Sequence, residues 1–157
     1  MPGGENTLTN STDFGGNNPT TGGWAGKHAG FTFDRKEIKD HGDGGKIVGQ
    51  KIKDGDHIVI VEDVITAGTT LREVLPFLAT LGKVHVDGVI IAVDRCERGT
   101  GQLSAVQEAE QAQGVKVFPI VTIHHIASYL SAPNDSGLVL DPAIQARIAA
   151  YLEEYGA

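Results

Sequence analysis

Residues 57–70 constrain the fold of this chain more than any other segment. A continuous apolar run at 58–61 ends in the two acids Glu62 and Asp63, and a turn of small residues then leads into helical spacing from Leu71. This order predicts a buried strand that ends at the carboxyl edge of a parallel sheet, followed by a helix. N–H groups at a helix start bind anions, and carboxylates accept hydrogen bonds from a sugar diol. The segment therefore favours a ribose 5-phosphate as ligand.

Strand and helix patterns alternate over residues 31–157. The predicted strands are 31–34, 58–61, 84–93 and 115–121, and the predicted helices are 69–81, 104–112, 123–130 and 142–155. Ser104 is the predicted N-cap of the second helix, and Gly82 and Gly114 are predicted to end the first and second helices. Alternation of this kind predicts an α/β fold, with a mostly parallel sheet flanked by helices.

The acids and one arginine fall where such sheets bind ligands. Ligands of open α/β sheets lie beyond the carboxyl ends of the strands. Glu62 and Asp63 follow one predicted strand, and Asp94 and Arg95 follow the next. We therefore expect a binding site at this edge.

Residues 1–30 differ from the rest of the chain. They are dominated by Gly, Asn, Thr and Ser and show almost no apolar periodicity. Such a segment buries too little surface to offset its ordering entropy, so disorder is predicted for residues 1–30 and one domain for 31–157. Residues 35–51 are charged and glycine-rich, and are predicted to form a long mobile loop.

The distribution of charge favours a small anionic ligand. A net charge of −7 argues against a nucleic-acid surface, yet six of the 13 Lys and Arg residues lie between positions 35 and 53. The single cysteine excludes an intrachain disulfide and fits a reducing compartment. No apolar run reaches membrane-spanning length and no signal-peptide pattern is present, so a cytoplasmic protein is expected.

Three segments together resemble the orotate phosphoribosyltransferases, which are type I phosphoribosyltransferases. Residues 58–70 are similar to that family's motif for phosphoribosyl pyrophosphate (PRPP). The segment FDRKEIKDHGDGG at 33–45 looks like its mobile catalytic loop, and DRCERG at 94–99 looks like its base-recognition segment. The segments occur in the family's order, and the resemblance covers residues 31–157.

The resemblance implies transfer of ribose 5-phosphate from PRPP to orotate, in pyrimidine biosynthesis, by a homodimer with shared active sites. It implies Mg²⁺, held mainly by PRPP itself. Catalysis is assigned to Lys39, His41 and Asp63, and orotate binding to Thr66 and Arg95. The residues assigned to PRPP are Arg35, Lys36, Lys39, His41, Glu62, Asp63, Val64, Ile65, Thr66, Ala67, Gly68, Thr69 and Thr70.

The resemblance also implies that parts of the family's fold are missing. Relatives carry more chain before the basic loop, including a hood subdomain and a core strand between the strands at 31–34 and 58–61. Without that strand the sheet would have a central gap, so 31–34 would pair directly with 58–61, be poorly ordered, or leave space for a partner. The glycine- and asparagine-rich leader at 1–30 is not expected to replace this strand.

Other interpretations of these residues stay open. The turn at 66–70 is also explained by an ordinary helix N-cap. The segment 35–45 is also explained by a solvated charged loop. Arg95 could instead form a structural salt bridge to Glu97 or Asp94. His124 and His125 are better interpreted as loop or helix-start residues than as metal ligands. For the whole chain, the alternatives are a non-catalytic PRPP- or nucleotide-binding relative and a phosphoribosyltransferase for another base. A generic Rossmann domain fits least, because no Gly-x-Gly-x-x-Gly is present.

Overall fold

The computed structural model describes residues 7–10, 21–24, 27–34, 47–66 and 68–157. The chain divides into two compact units. The first contains residues 1–62 and 72–90, and the second contains residues 63–71 and 91–157. No helix within the described ranges is long and apolar enough to cross a membrane.

Seven strands and four helices make up the described part of the chain. The strands are β1 (Thr7–Asn10), β2 (Thr21–Trp24), β3 (Lys27–Asp34), β4 (Ile47–Gly49), β5 (His57–Glu62), β6 (His85–Asp94) and β7 (Val117–Thr122). The helices are α1 (Thr69–Leu81), α2 (Ala105–Gln113), α3 (Ile123–Leu130) and α4 (Pro142–Tyr155). The strand order is β2-β3-β1-β5-β6-β7, and β4 pairs with β3.

The neighbouring strands β5, β6 and β7 confirm the predicted α/β fold. They are parallel, and the chain passes through α1 between β5 and β6 and through α2 between β6 and β7. Parallel neighbours require such crossover connections, which helices commonly supply. The carboxyl ends of these strands consequently share one edge of the sheet.

The first unit contains an antiparallel strand where a gap was expected. β1 lies between β3 and β5 and pairs with both, so that Leu8 is opposite Thr32 on one side and Ile60 on the other. The expected direct pairing of 31–34 with 58–61 is therefore absent, and part of the leader occupies the position instead. A buried strand edge leaves N–H and C=O groups without partners, and an extended segment satisfies them. β2 and the first residues of β3 also fall within residues 1–30, so the described parts of this segment are strands and not disordered as predicted. The remaining residues of 1–30 lie outside the described ranges.

Alternating side chains of β5 supply the core of the first unit. Ile58 and Ile60 are fully buried, as are Leu78 of α1 and Val89 of β6. Successive residues of a strand point to opposite faces, which is why the buried positions of β5 are two apart. Each such side chain contributes roughly 1.5–3 kcal/mol on burial.

The core of the second unit is built from the turn before α1 and from residues of four elements, namely α1, β6, α2 and β7. Its buried apolar residues are Ile65, Leu71, Ile91, Val106, Ala109 and Val117. Ile65 and Leu71 flank the turn before α1, so burial fixes both ends of that turn within this unit.

Local end signals determine where the helices begin and end. Ser104 and Gln107 form a reciprocal capping box at the start of α2, and Gly114 ends that helix with φ +66°. Asp141 caps α4, which has Pro142 in its first turn. Gly82 follows α1 for another reason: a Cβ there would lie 2.8 Å from the Asp54 Oδ1 atom.

Candidate functional site

The two predicted sugar-binding acids lie at the end of β5. Glu62 is half-buried at the last position of the strand, and Asp63 is exposed directly after it. The Val64 N–H donates to Asp63 Oδ1 at 2.7 Å. This hydrogen bond orients the Asp63 carboxylate while its side chain stays open to solvent.

The turn after these acids is held in place by buried apolar side chains on both sides. Ile65 and Leu71 are buried, while Thr66 and Thr69 are exposed and α1 begins at Thr69. Gly68 adopts φ +62°, a conformation that costs a residue with a Cβ atom about 1–2 kcal/mol. Exposed hydroxyls beside the N–H groups of a helix start form a setting that suits a phosphate. Ala67 lies outside the described ranges.

The end of β6 lies beside Asp63 within the second unit. The Val93 N–H donates to the carbonyl oxygen of Asp63 at 3.1 Å. Just beyond Val93, the Cys96 N–H donates to Asp94 Oδ1 at 2.8 Å, and Cys96 has φ +51°. Arg95 therefore lies in a tight turn at the sheet edge that also carries Asp63.

Arg95 forms the salt bridge that the sequence left open as an alternative. Its Nη2 atom is 2.5 Å from Glu97 Oε1 and 3.5 Å from Tyr151 Oη. The Tyr151 hydroxyl donates to the same Glu97 oxygen at 2.7 Å. Burial acts to lower the pKa of Arg95, but the hydrogen bonds and the Glu97 charge outweigh it, so the pKa is raised. Arg95 therefore stays cationic, and its side chain remains 44% exposed.

Arg98 donates hydrogen bonds to the C-terminal end of α4. Its Nη2 atom donates to the carbonyl oxygen of Glu154, and its N–H donates to the Tyr155 carbonyl oxygen at 2.8 Å. Helix C-termini carry partial negative charge, which a guanidinium offsets. Arg98 therefore has a structural role here.

The other predicted groups divide between described and undescribed residues. Arg35, Lys36, Lys39 and His41 lie outside the described ranges, so their roles stay predictions. His125 is a helix-start residue, since its N–H donates to the cap residue Thr122. Within the described ranges, no three His, Cys, Asp or Glu side chains form a group that could hold a metal ion.

The contribution of Tyr151 was not predicted from the sequence. Its hydroxyl reaches Glu97 across a separation of 54 positions. Helical periodicity places Tyr151 on α4, but nothing in the spacing of residues indicates which distant side chain it meets.

The comparisons with known proteins agree with this arrangement. The family model of the phosphoribosyl transferase domain matches residues 28–117, which is more than half of the chain. The orotate phosphoribosyltransferase of Clostridium acetobutylicum is 44% identical over 132 residues, covering 83% of this chain and 59% of that protein. The enzyme of that name from Bifidobacterium longum is 47% identical over 131 residues, covering 82% of this chain and 57% of that protein.

A solved structure has a similar fold. The orotate phosphoribosyltransferase of Francisella tularensis matches with a TM-score of 0.60 and 25% identity, over 80% of this chain and 55% of that one. The chain thus spans little more than half the length of the relatives it matches. Together with the strand, turn and helix described above, the family match shows that this chain belongs to the phosphoribosyl transferase domain family.

Proposed function

We propose that this chain transfers ribose 5-phosphate from PRPP to orotate, giving orotidine 5′-monophosphate and pyrophosphate in pyrimidine biosynthesis. The observation that carries the proposal is the hydrogen bond from Val93 to Asp63. It joins the ends of β5 and β6, so that Asp63 and Arg95, the residues proposed for the ribose and for orotate, both follow strands that end at one sheet edge. The identity to enzymes named orotate phosphoribosyltransferase supports the same reaction.

The chemistry requires that charge be stabilised where it develops. In the proposed reaction the bond from C1′ to pyrophosphate breaks as the bond to the base nitrogen forms, through an oxocarbenium-like transition state. Asp63 and Glu62 would hold the ribose hydroxyls, and the turn at 66–70 would hold the 5-phosphate. Lys39 and His41 would neutralise the leaving pyrophosphate, with Arg35 and Lys36 adding positive charge.

A magnesium ion fits the donor set at the end of β5. Mg²⁺ prefers oxygen ligands and keeps several waters, with one or two carboxylates and substrate phosphates completing its shell. The exposed Asp63 and the half-buried Glu62 supply carboxylates of this kind. The ion would screen the diphosphate charge, while the side chains of this protein orient the ribose.

The loop at 35–45 also bears on the assembly of the protein. We propose a homodimer in which this loop closes over the neighbouring subunit's site, in the reducing environment of the cytoplasm. The charged, glycine-rich composition of the loop suits such a movement.

The direct test is orotate consumption, followed by ultraviolet absorbance with PRPP and Mg²⁺. Lys39→Ala is expected to lower the rate about 10²–10³-fold, as for loss of one preorganised charge-stabilising group. Asp63→Asn should also lower it, whereas Asp135→Asn, a matched change in an exposed loop, should not. Turnover that is insensitive to Lys39 and Asp63 would contradict the assignment of the site.

The second candidate is a non-catalytic PRPP-binding protein. The specific observation in its favour is that Glu97 and Tyr151 already engage Arg95 Nη2. Calorimetric titration with PRPP distinguishes the two candidates. PRPP binding without orotate turnover supports this second candidate, and absence of PRPP binding contradicts both.

A further inference from the structure

Three residues of the second unit link the predicted orotate arginine to the C-terminal helix. We call Arg95, Glu97 and Tyr151 the Arg95 cluster. A single carboxylate oxygen, Glu97 Oε1, accepts from Arg95 Nη2 at 2.5 Å and from the Tyr151 hydroxyl at 2.7 Å. Because one oxygen accepts from both donors, and Arg95 Nη2 also lies 3.5 Å from the Tyr151 hydroxyl, the three side chains form one hydrogen-bonded group.

Residues 156 and 157 hydrogen-bond to the backbone of the segment that carries Arg95 and Glu97. Glu97 and Gly156 form an antiparallel bridge, and the Ala157 N–H donates to the Cys96 carbonyl oxygen at 2.9 Å. The Cys96 N–H donates to the Asp94 side chain, and the Cys96 backbone has φ +51°. A non-glycine residue in this conformation persists only where its surroundings impose it, and such residues concentrate at ligand sites.

The exposure of the cluster is uneven, and its inner side is apolar. The side chain of Arg95 is 44% exposed, against 23% for that of Glu97. Arg95, Glu97 and Tyr151 line a cavity of about 210 Å³ together with Ile123, Ile148 and Leu152. Three of the six residues that line this cavity are therefore apolar, and they lie on the side of the cluster that carries the less exposed Glu97.

The remaining donors of Arg95 are available to a ligand. Within the described part of the chain, Arg95 Nε and Nη1 have no hydrogen-bond partner. A guanidinium in one fixed orientation matches the planar geometry of a carboxylate, and it loses less conformational entropy on binding than a mobile one.

We propose that Glu97 and Tyr151 are positioning residues that hold the Arg95 guanidinium for a planar carboxylate ligand. Neither residue would touch the ligand, and α4 with the last two residues of the chain would thereby govern carboxylate recognition. The inference rests on the proposed function and deepens it, since orotate is the carboxylate concerned. It also predicts the sign of an effect: loss of the Glu97 charge weakens orotate binding. A Glu97 that merely competed with the ligand for Arg95 would have the opposite effect.

The experiment compares Tyr151→Phe and Glu97→Gln with the control Tyr155→Phe. Tyr155 is half exposed and its ring centroid lies 4.8 Å from that of Tyr151, but its hydroxyl is hydrogen-bonded to Glu154, which is not part of the cluster. Dissociation constants for orotate, in the presence of pyrophosphate and Mg²⁺, and for PRPP are measured calorimetrically. In the same proteins, ¹⁵N relaxation of the Arg95 Nε–H group, assigned by its loss in Arg95→Lys, reports how firmly the guanidinium is held. Thermal unfolding verifies that each variant folds.

The expected result separates the two ligands. Tyr151→Phe should weaken orotate binding about three- to tenfold, as for loss of one hydrogen bond, and Glu97→Gln should weaken it more. PRPP affinity should stay unchanged, and Arg95 Nε–H should become mobile in both variants but not in Tyr155→Phe. Tighter orotate binding by Glu97→Gln, or equal Arg95 mobility in all proteins, would overturn the inference. If the unaltered chain binds no orotate, the proposed function fails, and the mobility measurement alone decides whether Glu97 and Tyr151 hold Arg95.

Discussion

The main-chain N–H of Val93 donates to the carbonyl oxygen of Asp63 at 3.1 Å, one residue before the end of β6 and one residue after the end of β5. This hydrogen bond sets the register in which Asp63 and Arg95 reach the same sheet edge. A shift by one residue would turn every side chain of a strand to the opposite face. The chemistry proposed above therefore depends on this register.

Gly68 provides a test of the phosphate turn. A Cβ there would lie 3.6 Å from the Ala109 Cβ, an ordinary contact, so Gly68→Ala should introduce only the strain of φ +62°. The expected loss is about 1–2 kcal/mol in the free energy of unfolding, together with weaker PRPP binding because the turn shifts. Urea unfolding and calorimetric titration measure the two effects.

Gly137→Ala is the matched control for that variant. Gly137 has φ +70°, and a Cβ atom added there would meet nothing within 4 Å, so the same strain arises far along the chain from the turn. We expect a similar loss of stability with unchanged PRPP affinity. Equal weakening of PRPP binding in both variants would show that the effect of Gly68→Ala comes from stability alone.

The lowered pKa of Glu110 predicts that the fold loses stability in acid. Its carboxylate accepts from the Val117 N–H at 2.9 Å and pairs with Lys116, and these contacts lower its pKa in the folded chain. A lowered folded pKa stabilises the fold above the unfolded value of about 4.3, and this contribution disappears as the pH falls through the folded pKa. The difference in urea midpoint between the unaltered chain and Glu110→Gln should therefore shrink from about pH 6 to about pH 3. A difference that stays constant would argue against this linkage.

Cys96 is predicted to be a slow nucleophile. Burial raises the pKa of its thiol, and the charge of Asp94 raises it further. Because the thiolate is the reactive form, reaction with an aromatic disulfide at about pH 7 should be slower than for a small free thiol. Asp94→Asn keeps an acceptor for the Cys96 N–H but removes the charge, so it should accelerate the reaction. Identical rates would show that Asp94 does not influence the thiol.

Subunit mixing tests whether active sites are shared. Lys39→Ala and Asp63→Ala chains should each have little activity, because each lacks one part of the proposed site. If the loop of one subunit serves the other's site, mixed dimers contain one site with both residues intact. Orotate turnover should then reappear on mixing, to about one quarter of the full rate for random exchange. A mixture as inactive as its components would exclude loop sharing.

Local signals predicted α1, α3 and α4 with the observed bounds, because apolar spacing and cap residues act within one or two turns. The succession of strand, acids, turn and helix was predictable for the same reason, because these parts are contiguous, while the binding of a sugar phosphate there stays a prediction. The position of β1 was not, since four residues carry too little periodicity to identify a partner strand. The hydrogen bond between Tyr151 and Glu97 could not be predicted either, because tertiary packing and not sequence spacing brings these residues together.

The central position of β1 also has a consequence for biosynthesis. Thr7 pairs with Val61 and also with Phe33, so β1 leaves the ribosome well before its β5 partner has been translated. Until then, one edge of an early antiparallel sheet lacks its neighbour, and pairing over so long a separation is slow. The nascent chain is therefore open to strand-mediated association during the interval in which residues 35–56 are added.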